Sequence, residues 1–276
     1  MIVVTGASGH FGRLVIENLA GKAEVVAAAR TPAKVADLDV EVREFDYDRP
    51  ETLDLTGADK VLLVSGTDVG ERVRQHGAVI DAAKRAGVGL LAYTSVLHAD
   101  TTELAIAPEH KATEALVRDS GLPFTLLRNG WYHENYLDTI ATAATTGEIV
   151  GAAGEGRIAS AARADFAAAA AAVLTGEGHE NRVYELSGDI AWSFPELAEQ
   201  IAKLAGRSVE YRSLTPGAFR EMLVASGMPD EAAGFVTLLE QNAAAGTLAD
   251  TPGDLRALIG RPTTPIEDTI RQVLAG

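Results

Sequence analysis

Apolar residues in this chain fall into short, β-branched runs separated by amphipathic stretches, and the alternation holds for about the first 130 residues. IVVT (2–5) ends at a glycine and predicts a buried strand. In FGRLVIENLA (11–20), Phe11, Leu14, Val15 and Leu19 recur at helical spacing. EVVAAAR (24–30), VEVREFD (40–46) and KVLLVSG (60–66) predict three further strands. A long helix is expected from about Asp68 to Ala86, stopped by Gly87. LLAYTS (90–95) predicts a fifth strand, 109–119 a helix stopped by Gly121, and FTLLRN (124–129) a sixth strand. The connection at 47–59 has room for only a turn or two of helix.

Six strand-helix alternations imply right-handed crossovers and a sheet covered on both faces. The expected fold class is α/β: a Rossmann-like doubly wound parallel sheet with a small, mostly helical C-terminal lobe. After Asn129 the pattern loosens. ENYLDTIATAAT looks helical, GAAGEGRIAS reads as a glycine-rich loop, and Asp165 could cap an alanine helix at 166–174. RVYELSG (182–188) is a further strand, and short helices follow from 193, with one strand at SVEYRSL (208–214). The expected division is a core of residues 1–130, to which 148–188 returns. Residues 131–147 and 189–276 then form a smaller substrate-side lobe that does not fold alone.

The chain has 276 residues, 47% of them apolar, enough for a substantial core and too many for disorder. Lys and Arg number 24 against 39 Asp and Glu, a net charge of −15. Such a surface repels phosphate backbones, so no nucleic-acid partner is expected, and an anionic ligand must be gripped by local groups. There is no cysteine, which removes disulfides, thiolate metal sites and cysteine nucleophiles. No histidine pair has metal-ligand spacing, so no metal is expected. The first strand begins at Ile2, leaving no room for a signal peptide, and FAAAAAAVL (166–174) is too short to span a bilayer. A cytoplasmic protein without membrane contact is expected; a homodimer is neither required nor excluded.

TGASGHFG sets Gly6, Gly9 and Gly12 between the first strand and the first helix. Gly6 permits a sharp turn, Gly9 lets backbone approach a pyrophosphate, and Gly12 lets the helix pack close to the strand. With Ala7, Ser8, His10 and Phe11 between them, these residues are expected to hold dinucleotide phosphates at a helix N-terminus. At the end of the second strand an NAD site usually has a carboxylate, whereas this chain has Arg30, with Lys34 nearby. A guanidinium forks onto a 2′-phosphate and stacks on adenine, so the expected cofactor is NADP(H). Asp46 stands where an adenine edge is often met, although a turn aspartate would account for it nearly as well.

Ligands of such sheets bind outside the carboxyl ends of the strands. Ser65, Gly66 and Thr94 are therefore expected on the cofactor side. Ser95, His98, Asn129, Trp131 and Tyr132 are expected beside the nicotinamide and substrate. RNGWYHENY (128–136) crowds aromatics into a chain with only 5% of them. A flat aromatic acceptor could stack there, or the stretch could be a plug closing the core beneath the lobe. His98 and His110 are the possible acids. Lys111 with Glu114 fits a helix-surface pair. No G-x-S-x-G is present, which argues against a serine nucleophile.

TGASGHFG, YTSVLHAD, LLRNGWYHENY, GAAGEGRIASAARADFAAAAA and VYELSGDIAW together resemble the type 2 NAD(P)H:quinone oxidoreductases. These are atypical short-chain dehydrogenases allied to NmrA-like redox sensors and triphenylmethane dye reductase. The resemblance covers nearly the whole chain and implies an NADPH-preferring reductase of small quinones. One departure is His10, where relatives usually show glutamine.

Many dehydrogenases of this architecture carry Tyr-x-x-x-Lys in the helix after the fifth strand. In AIAPEHK (105–111) the lysine is Lys111, but Ala107 stands in the tyrosine position. Reducing a ketone leaves an alkoxide whose parent acid is about as weak as water, roughly 15.7. Reducing a quinone leaves a phenolate-like oxyanion with a parent acid near about 10, a gap of roughly 7 to 8 kcal/mol. General acid catalysis typically contributes about 10²–10⁴-fold, or roughly 3 to 5 kcal/mol. A quinone thus supplies more than the missing tyrosine could, and no protein acid is essential. A non-catalytic NADP(H) sensor fits the missing pair equally well, and a reductase of another electron-poor aromatic, such as a cationic dye, would work similarly.

Overall fold

The computed structural model describes residues 1–275. Strands β1 (Ile2–Val4), β2 (Val25–Ala29), β3 (Glu41–Glu44), β4 (Lys60–Leu63), β5 (Leu90–Val96) and β6 (Phe124–Asn129) fall where the apolar runs predict them. With β9 (Arg182–Leu186) they build one seven-stranded sheet in the order β3-β2-β1-β4-β5-β6-β9, parallel throughout. The order reverses between β1 and β4, and such a switch point opens a crevice at the carboxyl edge.

Period-two side-chain alternation divides the sheet residues between two cores. Ile2 and Val4 of β1 face helices α1 (His10–Leu19) and α5 (Arg163–Thr175). Val3 faces α2 (Arg72–Ala86) and α3 (Ala107–Asp119) on the other side. The alanines of α5 keep its surface flat enough to lie closely along α1. Between β3 and β4 there is one 3₁₀ turn, Pro50–Thr52, as the short connection allows.

The expected helix over 134–145 is a 3₁₀ turn (His133–Tyr136) leading into α4 (Leu137–Thr146). The glycine-rich segment is more ordered than expected. Its first residue ends β7 (Glu148–Gly151) and it contains β8 (Arg157–Ile158); these strands pair with β11 (Glu210–Ser213) and β10 (Trp192–Ser193). These strands, α4 and the helices α6 (Phe194–Ala205), α7 (Pro216–Ala225), α8 (Asp230–Ala244) and α10 (Ile266–Ala275) form the C-terminal lobe around a third core. The short α9 (Asp254–Ile259) packs back on α5 and β9.

Asp165 is not the cap of the alanine helix. It lies inside the first turn of α5, buried, and accepts hydrogen bonds from Arg261 Nη2 (2.6 Å), Thr264 N (2.7 Å) and Thr264 Oγ1 (3.1 Å). Its carboxylate therefore ties the end of the chain to the core. No helix among the described residues is long and apolar enough to cross a membrane.

Candidate active site

A cleft of about 640 Å³ runs along the carboxyl edge of the sheet, from the glycine turn after β1 to the start of α3. The turn is built by steric necessity. Gly6 has φ +59°, and a Cβ on Gly12 would lie 2.5 Å from the Gly6 carbonyl oxygen and 2.9 Å from Ala7 Cα. Both neighbours are backbone and cannot rotate away. No side chain caps α1, and its first turn carries no acidic residue. Its leading N–H groups and the positive end of its dipole are thus left for an anion.

Gly6, Ser8, Gly9, His10 and Phe11 line this end of the cleft. Ala7 and Gly12 do not: both are buried and hold the turn against the helix. Arg30 also lines the cleft, just beyond β2, and its exposed guanidinium has no carboxylate partner among the described residues. Asp46 lines it too, with its side chain accepting from Asp48 N at 3.1 Å. Asp48 is held by Arg74 (2.5 Å) and Gln75 (3.1 Å), and these bonds, Arg74's first, keep its carboxyl below the usual range.

The middle of the floor is pinned by a chain of hydrogen bonds. Ser65 N donates to Thr94 Oγ1 (2.8 Å), and Gly66 N donates to His76 Nε2 (3.0 Å). His76 Nδ1–H in turn donates to Thr113 Oγ1 (3.0 Å), whose hydroxyl donates to the Glu109 carbonyl (2.9 Å). This fixes a neutral imidazole, consistent with burial and nearby Arg72 lowering the His76 pKa to about 4. Ser65, Gly66, Thr94 and Ser95 all line the cleft. Ser95 donates to Glu114 Oε1 at 2.7 Å.

The aromatic stretch after β6 divides between the two expected uses. Asn129, Trp131 and Tyr132 line the cleft, whereas His133 and Tyr136 are buried beneath the lobe. His133 joins Ser160 (2.8 Å) to the Thr264 carbonyl (2.9 Å), and Tyr136 packs on Trp192 and Phe194. The Tyr132 ring is itself engaged by Phe11, Phe166 and the Arg163 guanidinium, 5.0 Å from its centroid. Asn129 Nδ2 donates to Tyr132 Oη at 3.3 Å, but its buried Oδ1 has no partner. A buried acceptor left open on a cleft wall is suited to an amide N–H of a bound ligand.

Two sequence expectations are overturned here. His98 does not reach the cleft: it sits at φ +51° and turns outward to Asp250 (2.9 Å) and Glu185 (3.5 Å). Lys111 and Glu114 are not a surface pair. Lys111 donates to the Asp100 carbonyl (3.0 Å), while Glu114 is buried in a fork with Arg128. Both errors have one cause, since sequence spacing does not say which flank of a helix or turn the next element covers.

Tyr47, Gln75, Ile106 and Arg163, none of them expected from the sequence, also line the cleft. Arg163, half-buried and without a carboxylate partner for its guanidinium, was legible in principle. It is the one cation of an alanine-rich helix and stands at its first position. Ile106 had no such signal.

An uncapped helix start, a glycine turn that admits no Cβ, and two unpaired arginines define a dinucleotide-binding site on a doubly wound sheet. Residues 6–177 match the NAD(P)H-binding family, and the chain belongs to it. Within it the chain falls, as its motifs implied, among the type 2 quinone oxidoreductases and their allies. It is 46% identical to quinone oxidoreductase 2 of Escherichia coli over 98% of this chain and 97% of that one. The solved NADPH complex of the Escherichia coli NADPH-dependent quinone oxidoreductase superposes with a TM-score of 0.95 at 45% identity, covering 99% and 100% of the two chains. Citrobacter sp. triphenylmethane reductase, solved with NADP(H), gives 0.94 at 35% identity, covering 99% and 100%.

Proposed function

We propose that this protein transfers a hydride from NADPH to a small quinone without a Tyr-Lys pair. The observation that carries the reading is the state of that pair's positions: Ala107 is buried, and Lys111 is committed to the Asp100 carbonyl. The helix thus presents no tyrosine acid, and the acceptor must be one that carries its own charge stabilisation. NADPH, when bound, supplies the hydride. The α1 N-terminus and Arg163 would meet its diphosphate, Arg30 its 2′-phosphate, and Asn129 Oδ1 its carboxamide N–H. Trp131 and Ile106 would bound the acceptor, exclude water and hold the ring over the nicotinamide. A cytoplasmic location, without nucleic-acid or membrane partners, goes with this reading.

The similarity to triphenylmethane reductase favours a second acceptor class, a cationic dye. The decisive test is the loss of nicotinamide absorbance with NADPH and then NADH, against a panel of small quinones and one such dye. Fast turnover of quinones with NADPH is expected. Turnover of the dye alone would move the substrate class. Tight NADPH binding with no turnover on any acceptor would leave a sensor instead of an enzyme.

A further inference from the structure

Two residues lie one turn beyond Ala107 on α3, and they part company. Lys111 turns away, while His110, only 6% exposed, lines the cleft near Ile106, Val96 and Trp131. His110 Nδ1 lies 2.8 Å from the hydroxyl of Tyr93, a fully buried residue of β5. Of the hydrogen-bonding groups there, Thr113 already accepts from His76 and gives its own proton to Glu109. The phenol's other neighbours are the Thr113 and Ser65 hydroxyls, and the imidazole nitrogen is a stronger acceptor than either, so the phenol proton is assigned to Nδ1. That leaves the ring's single proton on Nε2, the nitrogen without a protein partner, at the cleft side.

Burial, assisted by Arg72 and His76, lowers the His110 pKa to about 3, and burial holds the Tyr93 phenol far above its usual range. The first turn of a helix also disfavours a cation. The pair is neutral, so His110 offers a hydrogen bond and not an acidic proton. A neutral imidazole held this way can polarise a carbonyl oxygen.

We propose that His110 Nε2–H donates a hydrogen bond to the quinone oxygen on which negative charge develops, with Tyr93 as the positioning residue that fixes the tautomer. The inference rests on the quinone-reductase reading. Two electrons and one hydrogen pass from NADPH to the quinone, leaving NADP⁺ and the hydroquinone monoanion. The second proton comes from water, and His110 keeps its own.

The test compares His110→Ala, His110→Gln and Tyr93→Phe with the parent protein. Turnover is measured across para-quinones whose hydroquinones become steadily more basic. The affinity of the NADP⁺-loaded protein for 4-nitrophenolate, a stand-in for the product anion, is measured alongside. His110→Ala should lower kcat by about 10- to 100-fold, most for the most basic hydroquinones, because the lost donor matters in proportion to the charge it meets. Nitrophenolate binding should weaken about tenfold, NADPH affinity should stay within about twofold, and His110→Gln, which keeps an N–H donor, should recover most of both losses. Tyr93→Phe should show a smaller loss of the same dependence on acceptor basicity. Unchanged nitrophenolate affinity in His110→Ala, or a uniform loss that tracks NADPH affinity, would overturn the proposal. A parent protein that reduces no quinone would refute the enzyme reading, while nitrophenolate binding would still decide whether His110 is a donor.

Discussion

Replacing Arg128 with methionine strikes the most heavily charged point beneath the cleft. Arg128, at the end of β6, is 4% exposed. Its Nε and Nη2 fork onto Glu114 at 2.8 and 2.7 Å, and Nη1 reaches Glu185 (2.7 Å) and Asp100 (3.0 Å). Methionine fills similar volume but leaves Glu114, equally buried, with only the Ser95 hydroxyl and Arg118 at 3.7 Å. Exposed ion pairs are worth about 0–1 kcal/mol, but stranding a buried charge costs about 3–5 kcal/mol, and the second figure governs here. That is a large part of the roughly 5–15 kcal/mol stability of an ordinary domain. Urea unfolding followed by circular dichroism should show a lower midpoint with the denaturant dependence unchanged. Adding Glu114→Gln removes the stranded charge, so the double variant should be the more stable of the two, by about 2 kcal/mol. A single variant within about 1 kcal/mol of the parent, or a double variant no better than the single, would refute the assignment of Arg128 as a compensating charge.

If Arg30 meets the 2′-phosphate, Arg30→Ala should weaken NADPH by about 10- to 100-fold and NADH by less than about threefold, measured by cofactor fluorescence; equal losses would refute the role. Acid should destabilise the protein through its buried histidines. His76 and His110 are held near pKa values of about 4 and about 3, below the unfolded value, so the unfolded chain binds more protons and stability falls with falling pH below about 6.5. From pH 7.5 to 5 each should subtract about 2 kcal/mol, read from urea midpoints at both values, and His76→Leu should remove about 2 kcal/mol of that loss. A parent midpoint unchanged between those pH values would show that these imidazoles are solvated.

The sheet was legible because its signal is local. A buried parallel strand must be apolar on both faces, so IVV, VVAAA and KVLL announce themselves. Gly6, Gly9 and Gly12 were legible for a related reason, since their spacing serves a turn whose geometry is contained in eight consecutive residues. Arg30 followed directly from the end of a strand. Ala107 was equally plain, because a missing side chain is missing whatever the fold does.

What only the tertiary structure decided was the direction of side chains across elements far apart in sequence. His98 and His110 are alike as letters. His98 is drawn out by Asp250, 152 residues away, whereas His110 is turned into the cleft and oriented by Tyr93 on the neighbouring strand. Glu114 looked like a solvated helix residue until β6 laid Arg128 against it. Asp165 had the right residue type for a helix cap, and a chain end returning from residues 261 to 264 claimed it. Propensity and periodicity act over a turn or a strand, and they place the elements. The pairing of a buried polar group depends on which distant group also has to leave water, and that is settled only when the layers pack.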